Sequence, residues 1–335
     1  MEYRFEEIDA IINARSLAIV GASAKPMKFG SFFTRAQIAM GFKGSIYLVN
    51  PGETEIFGFP TYPGISSLPE VPELVYLTVP AHRSMDVLRD CAGAGVRCVI
   101  IMAAGFRETG EPGRKLEDEA LALARRGGFR IIGPNCFGIY NPRTGLTLLP
   151  GHDFSKKPGE VAFISQSGGF SAHVARLGRS LDVNFSAVVS YGNAADIDES
   201  DLIRYFADDP ATQIISGYLE GFADGRKFLD ALRYAASKKP VVLWKVGKSE
   251  VSRRAVLSHT GSLAGSSEVW DSVMRQLGVI QVSGVEETLD VLVALLHLGR
   301  NPGKRVLICG GGGGLGTCGA DLASRESLEL PPLAP

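Results

Sequence analysis

Ser16-Leu17-Ala18-Ile19-Val20-Gly21-Ala22-Ser23-Ala24-Lys25-Pro26-Met27-Lys28-Phe29-Gly30 decides how the first half of this chain folds. An uncharged, mostly apolar run ends in a glycine, and a helical pattern follows through Phe32 to Met40. That order reads as a strand buried on both faces, the opening unit of a parallel sheet. The glycines do not make a dinucleotide fingerprint. G-x-G-x-x-G needs a second glycine where Ser23 stands. Ser23, two lysines and the start of a helix can still hold the phosphates of another nucleotide-like ligand. An ordinary strand-to-helix loop would read the same way.

Outward from this stretch the pattern repeats. A short amphipathic lead (Phe5, Ile8, Ile11, Ile12) precedes it. Apolar runs follow at residues 45–49 before Asn50-Pro51, 74–79 before Pro80, 98–102 before Ala103-Ala104-Gly105-Phe106, and 129–132 before Gly133-Pro134-Asn135-Cys136. Met85, Leu88 and Ala92, with Val87 and Cys91 beside them, form the stripe of a helix that covers a sheet. Alternating βαβ units imply a parallel sheet with both faces covered. Ligands of such sheets sit beyond the carboxyl ends of the strands, where the quoted turns fall.

A length of 335 residues suits two domains with something left over. The 35 basic and 36 acidic residues leave no electrostatic footprint for nucleic acid or an anionic membrane. Cys91, Cys98, Cys136, Cys309 and Cys318 form no C-x-x-C pair, so neither a zinc site nor a disulfide framework is indicated. The charged N-terminus lacks a secretory core and no apolar run approaches transmembrane length, so the expected location is the cytoplasm.

In the second half, a polar Gly/Pro-punctuated stretch around residues 150–159 marks a domain boundary. A buried run at 160–164 then opens on Ser165-Gln166-Ser167-Gly168-Gly169 and a helical pattern, which is an anion site in outline. The run 212–219 ends on Glu220-Gly221, an expensive place for an unpaired carboxylate. Glu220 reads either as a surface residue beside a turn or as the partner that fixes an imidazole tautomer. A further run, 240–245, leads to Ser258-His259-Thr260-Gly261, where one histidine stands among small residues. That setting suits a nucleophile in phosphoryl transfer, and equally a loop histidine that caps the next helix. His82, His152, His173 and His297 have no such company.

Val20-Gly21-Ala22-Ser23, Val49-Asn50-Pro51-Gly52, Ala104-Gly105-Phe106 and Gly133-Pro134-Asn135-Cys136 resemble, in order and spacing, the CoA-binding domain of NDP-forming acyl-CoA synthetases. Residues 165–169, Leu219-Glu220-Gly221 and 258–261 look like the second domain of the same family, which is related to succinyl-CoA ligase α subunits. The resemblance implies an α/β protein: a Rossmann-like CoA-binding domain at 1–148, a flavodoxin-like phosphohistidine domain at 149–300, and at 301–335 the truncated start of a third α/β domain. There residues 305–309 are expected as a strand before a glycine-rich helix start.

The resemblance assigns CoA binding to Gly21, Ala22, Ser23, Lys28, Asn50, Pro51, Pro80, Ala103, Ala104, Gly105, Phe106 and Asn135. It assigns the phosphoryl group to Ser165, Gln166, Ser167, Gly168, Gly169, Gly313 and Gly314, and catalysis to His259 oriented by Glu220. Two positions depart from succinyl-CoA ligases: Glu53 stands where they carry a lysine, and Ala172 where they carry a tyrosine facing the substrate. The latter argues against succinate as the acid.

The implied reaction joins a carboxylate and CoA at the expense of NTP, through an acyl phosphate and a phosphohistidine. CoA and a small carboxylic acid or its acyl-CoA are the expected ligands. ATP or GTP with Mg is expected on a separate ATP-grasp domain or partner subunit, since the chain carries no such domain. The alternatives are a homo-oligomer as the assembly, and a non-catalytic CoA-binding or scaffold subunit as the function. A nicotinamide oxidoreductase is disfavoured by the missing fingerprint.

Overall fold

The apolar run at residues 16–20 becomes the centre of a sheet because nothing in it needs water. All five residues are buried. A computed structural model describes residues 3–151, 153–247, 267–298 and 303–332. The chain opens with helix α1 (Phe5–Ile12) and strand β1 (Ser16–Val20), then α2 (Phe29–Met40) and β2 (Ser45–Val49). A small hairpin follows, β3 (Glu55–Ile56) and β4 (Phe59–Tyr62). Then come β5 (Leu74–Leu77), α3 (Ala81–Ala94), β6 (Cys98–Ile101), α4 (Glu111–Gly127) and β7 (Arg130–Ile132).

The first sheet runs β3-β4-β2-β1-β5-β6-β7 and is parallel apart from the β3–β4 pair. The order reverses at β1, whose neighbours β2 and β5 lead away in opposite directions. That reversal opens a crevice at their carboxyl ends, the place where doubly wound sheets bind ligands.

The second sheet is built from β8 (Gly138–Asn141), β9 (Leu146–Thr147), β10 (Val161–Ser165), β11 (Phe185–Ser190), β12 (Ile214–Leu219), β13 (Val241–Lys245) and β14 (Ile280–Val282). Helices α5 (Gly168–Ser180), α6 (Glu199–Asp208), α7 (Gly225–Lys238) and α8 (Ser267–Leu277) connect its parallel strands, and α9 (Val285–Leu298) follows. Its order is β14-β13-β12-β10-β11-β8-β9. Among the described strands the sheet is parallel except for the pairs that β8 makes with β11 and β9.

The division between the two sheets does not fall at the boundary expected at residue 148. Strands β8 and β9 lie in the sequence before it, yet β8 pairs with β11 of the second sheet. They are also tied back to the first. The Thr147 N–H donates to the Gln37 carboxamide at 3.0 Å, and the Gln37 side chain donates to the Thr147 carbonyl. Helix α1 makes a second tie, with Phe5 stacked on Tyr205 of α6 at 5.1 Å and the Tyr205 hydroxyl donating to Asp9 at 2.9 Å. Arg130 on β7 makes a third, donating to Asp196 at 2.8 Å. A single apolar core accordingly includes Leu17, Ile100, Ile139, Ile164 and Phe206.

Residues 294–335 form a separate compact unit. Helix α10 (Gly313–Arg325) is present as the glycine run suggested. The expected strand at 305–309 is not: only an isolated bridge joins Arg305 to Glu329. Leu307 is exposed, and among the described residues of this unit no strand lies beside the segment to bury it.

Candidate functional site

The carboxyl edge of the first sheet holds a cavity of about 1090 Å³. Gly21, Ala22, Ser23 and Lys28 from the β1–α2 loop line it, with Asn50 and Pro51 after β2 and Pro80 after β5. The Ser23 hydroxyl accepts the Lys25 N–H at 3.2 Å, which turns the loop back on itself. Asn50 fastens two strand ends: its Nδ2 donates to the Ala22 carbonyl at 2.8 Å and its Oδ1 accepts the Gly52 N–H at 2.8 Å. Lys25, Lys28 and Arg83 bring positive charge to the cavity wall, and Asp86 and Asp90 stand on the wall as well. Backbone N–H groups at a helix start and three cations suit a ligand with several phosphates. Glu53 lies on the same wall and accepts from Asn50 Nδ2 at 3.2 Å.

Ala103, Ala104, Gly105, Phe106 and Asn135 do not line this cavity; they sit at the ends of β6 and β7, further along the same edge. Phe106 is fully buried in the core beneath the first sheet, so its side chain anchors the turn instead of meeting a ligand. Asn135 joins the two turns, its N–H donating to the Ala103 carbonyl at 3.0 Å.

The second sheet brings together five of the residues expected around the phosphoryl group, Ser165 to Gly169, in the turn from β10 into α5. The Ser165 hydroxyl donates to the Ser167 carbonyl at 2.8 Å and accepts the Ser167 N–H at 3.0 Å, closing a tight turn off β10. Ser167 then caps α5, its hydroxyl accepting the Phe170 N–H at 3.4 Å. Gly168 admits the Phe137 ring, which a Cβ would meet at 2.5 Å. Gly169 follows in the first turn of the helix.

Gln166 does not face outward as a phosphate ligand would. Its Oε1 accepts the N–H groups of Glu220 at 2.5 Å and Gly221 at 3.0 Å, splinting the end of β12 to the end of β10. Glu220 is 4 % exposed. Its carbonyl accepts from Lys245 Nζ at 2.8 Å. Tyr218 lies two residues earlier, on the same face of β12. Its hydroxyl hydrogen-bonds the Glu220 carboxylate, and burial first, then that negative charge, pushes the phenol well above its usual range. Phe170 and Trp244 pack on the Tyr218 ring at 4.7 and 5.0 Å. Sequence reading missed Tyr218 and Lys245, although the spacing of Tyr218 two residues before Glu220 was an available signal for the first.

His259 lies outside the described residues. Gly313 and Gly314 open α10, preceded by Gly312 at the cap with no side-chain cap of its own. They belong to the separate unit of residues 294–335. Among the described residues no cluster of histidine, cysteine and carboxylate could hold a metal ion, and no helix is long and apolar enough to cross a membrane.

Comparison with known proteins finds two family matches along the chain. The family described as a CoA binding domain matches residues 15–142, and the succinyl-CoA ligase like flavodoxin domain matches residues 158–295. The acetate–CoA ligase [ADP-forming] I subunit alpha of Pyrococcus furiosus is 40% identical over 331 residues, 96% of this chain and 71% of that one. The chain belongs to the ADP-forming acetate–CoA ligase family of acyl-CoA synthetases. Within that family, acetate–CoA ligase [ADP-forming] I of Archaeoglobus fulgidus is 38% identical, and the match covers 96% of this chain but 46% of that one. The solved structure of the dinucleotide forming acetyl-coenzyme A synthetase 1 from Ca. Korarchaeum cryptofilum, in complex with phosphate and ADP, superposes with a TM-score of 0.86 at 36% identity, covering 97% of this chain and 70% of that one. The chain thus spans about 70% of an α subunit in this family and about half of the longer members.

Proposed function

We propose that this chain is the CoA-binding and phosphohistidine-bearing component of an NDP-forming acyl-CoA synthetase, acting in the cytoplasm with an ATP-grasp domain or subunit that supplies the nucleotide. The observation that carries the reading is the splint at the second sheet's edge. Gln166 holds Glu220 beside the turn at residues 165–169, on a chain whose first sheet edge carries a cavity with Lys25, Lys28 and Arg83 at the loop and helix start.

In the thioester-cleaving direction, an oxygen of inorganic phosphate attacks the thioester carbonyl carbon. The carbon–sulfur bond breaks, CoA leaves as its thiolate and is protonated, and acyl phosphate remains. A nitrogen of the His259 ring then attacks phosphorus. The bond between phosphorus and the acyl oxygen breaks, and the carboxylate departs. ADP or GDP on the partner finally accepts the phosphoryl group, with Mg held there. Splitting the reaction through a covalent intermediate lets two unlike transfers share one site.

This chain contributes positioning and electrostatics. The N-terminus of α5 presents backbone N–H groups and its dipole to the phosphoryl oxygens. Glu220, fixed by Gln166 and Tyr218, accepts a hydrogen bond from one imidazole N–H of His259, which fixes the tautomer and leaves the other nitrogen free to attack. Acetate is the acid favoured by the relatives' names, and Ala172, buried on α5, keeps a small side chain there.

The test is phosphoryl labelling of the whole chain, because β8, β9 and α1 tie the two sheets into one body. Incubation with ³²P-acetyl phosphate should give an acid-labile, base-stable label that His259→Ala abolishes and Glu220→Gln weakens. Label persisting in the alanine variant would place the phosphate elsewhere and overturn the reading.

A further inference from the structure

We infer that Glu108 is a positioning residue that sets the CoA-side turn of the first sheet against the phosphate turn of the second. It rests on the function proposed above and goes beyond the residues which that function uses.

The two oxygens of Glu108 serve different halves of the molecule. Oε1 accepts the N–H groups of Gly105 at 2.6 Å and Phe106 at 3.1 Å, closing the turn that follows β6. Oε2 accepts Asn193 Nδ2 at 2.6 Å, on the loop that follows β11. Asn193 has no solvent exposure. Its second amide hydrogen goes to Glu117 on α4 at 3.0 Å, and its carbonyl accepts from the Arg107 guanidinium. Two residues earlier, the Tyr191 N–H donates to the Ser165 carbonyl at 3.0 Å. An unbroken series of contacts therefore runs from Gly105 through Glu108, Asn193 and Tyr191 to Ser165, the first residue of the phosphate turn.

The chemistry makes this arrangement sensitive to one atom. A carboxylate accepts with both oxygens, so it satisfies backbone donors on one side and an amide donor on the other. Burial works against its charge, yet the bonds from Asn193, Gly105 and Phe106 hold Glu108 below the usual carboxylate range. A glutamine of the same shape must turn its own NH₂ towards Asn193 or towards Gly105 and Phe106. Either choice sets donor against donor and loosens one half. Phosphate attack on a thioester needs the CoA sulfur end and the phosphate turn in register, and an error of about 1 Å can cost on the order of 100-fold. Phosphoryl transfer from free acyl phosphate does not use CoA and needs only the second sheet's edge.

The two labelling routes separate these demands. With the whole chain, acetyl-CoA plus ³²P-phosphate requires both halves, whereas ³²P-acetyl phosphate requires one. Glu108→Gln is expected to slow labelling by the first route at least tenfold and to leave the second within threefold. CoA affinity by calorimetry should stay within about threefold, since the phosphate cavity is untouched. Glu108→Asp, which keeps the charge but is too short to span both partners, serves as the second variant and should show the same split. Tyr205→Phe removes a hydrogen bond between the two halves near the amino-terminal end of β1 and should leave the ratio of the routes unaltered. Equal loss by both routes, or no loss by either, would overturn the inference. Wild-type protein labelled by neither route would instead overturn the parent reading, and the inference with it.

Discussion

Replacing Gly30 by alanine should weaken CoA binding at least tenfold while the fold survives. Gly30 sits in the first turn of α2, and its Cα faces the loop that starts at Gly21. An added Cβ would lie 2.0 Å from the Gly21 carbonyl oxygen and 2.9 Å from the Ala22 Cα. Non-bonded carbons prefer separations of about 3.5–4.0 Å, so helix and loop must part by roughly 1 Å or more. Overpacking of this kind costs about 1–3 kcal/mol. The loop that must move is the wall of the cavity, and about 1.4 kcal/mol lost from its binding geometry is a tenfold change in affinity. Gly41→Ala at the other end of α2 is the matched control. Gly41 has φ +74° with no atom within 4 Å of an added Cβ, so its penalty is purely conformational, roughly 1–2 kcal/mol, and distant from the cavity. Calorimetric titration with CoA, alongside thermal melts, reads both effects. Both variants should melt a few degrees lower, and only Gly30→Ala should lose affinity. Equal CoA affinity in the two variants would refute the close-approach argument.

Three further outcomes are expected. Gln166→Leu strips the acceptor from two N–H groups at the end of β12, at about 1–3 kcal/mol for each buried donor left unpaired; its melting temperature and its acetyl phosphate labelling should fall together, and full labelling would show that the splint is dispensable. Arg130→Leu removes the buried cation that pairs with Asp196 at 2.8 Å and Glu7 at 3.3 Å, so denaturant titration should show a loss of about 3–5 kcal/mol, and a loss below 1 kcal/mol would contradict it. Burial, helped by the charge of Asp198, pushes Glu199 up to about 8. The folded protein thus holds a proton that the unfolded chain has released above its ordinary pKa near ~4.3, so this contribution is full below that pH and is lost as pH rises towards 8, at up to roughly 1.4 kcal/mol per pH unit. Between pH 5 and 8 the wild type should therefore lose more melting temperature than Glu199→Gln, and parallel curves would count against a neutral Glu199.

What the sequence determined by itself is what short-range physics encodes. Residues 16–20 and 161–165 are apolar runs that end in small-residue turns, and short runs of that kind between helical patterns read as strands buried on both faces of a parallel sheet. The turns at Gly21, Asn50 and Ser165 follow directly, because a strand of known direction fixes which edge its loop occupies. Only the tertiary structure decided where strands with weak local signals pair. Gly138–Asn141 joins the second sheet because β11 offers it an edge, a partner some fifty residues away that no periodicity reveals. Residues 305–309 carry the same strand pattern and find no such edge among the described residues of their own unit. Burial separated roles that residue type left open, sending Phe106 into the core while Gly105 stayed at the turn. Asn193 reaches Glu108, and Gln166 reaches the Glu220 N–H, from other elements for the same reason. A buried carboxylate must find donors wherever packing supplies them, and packing is set by the whole fold, not by the residues beside it in the chain.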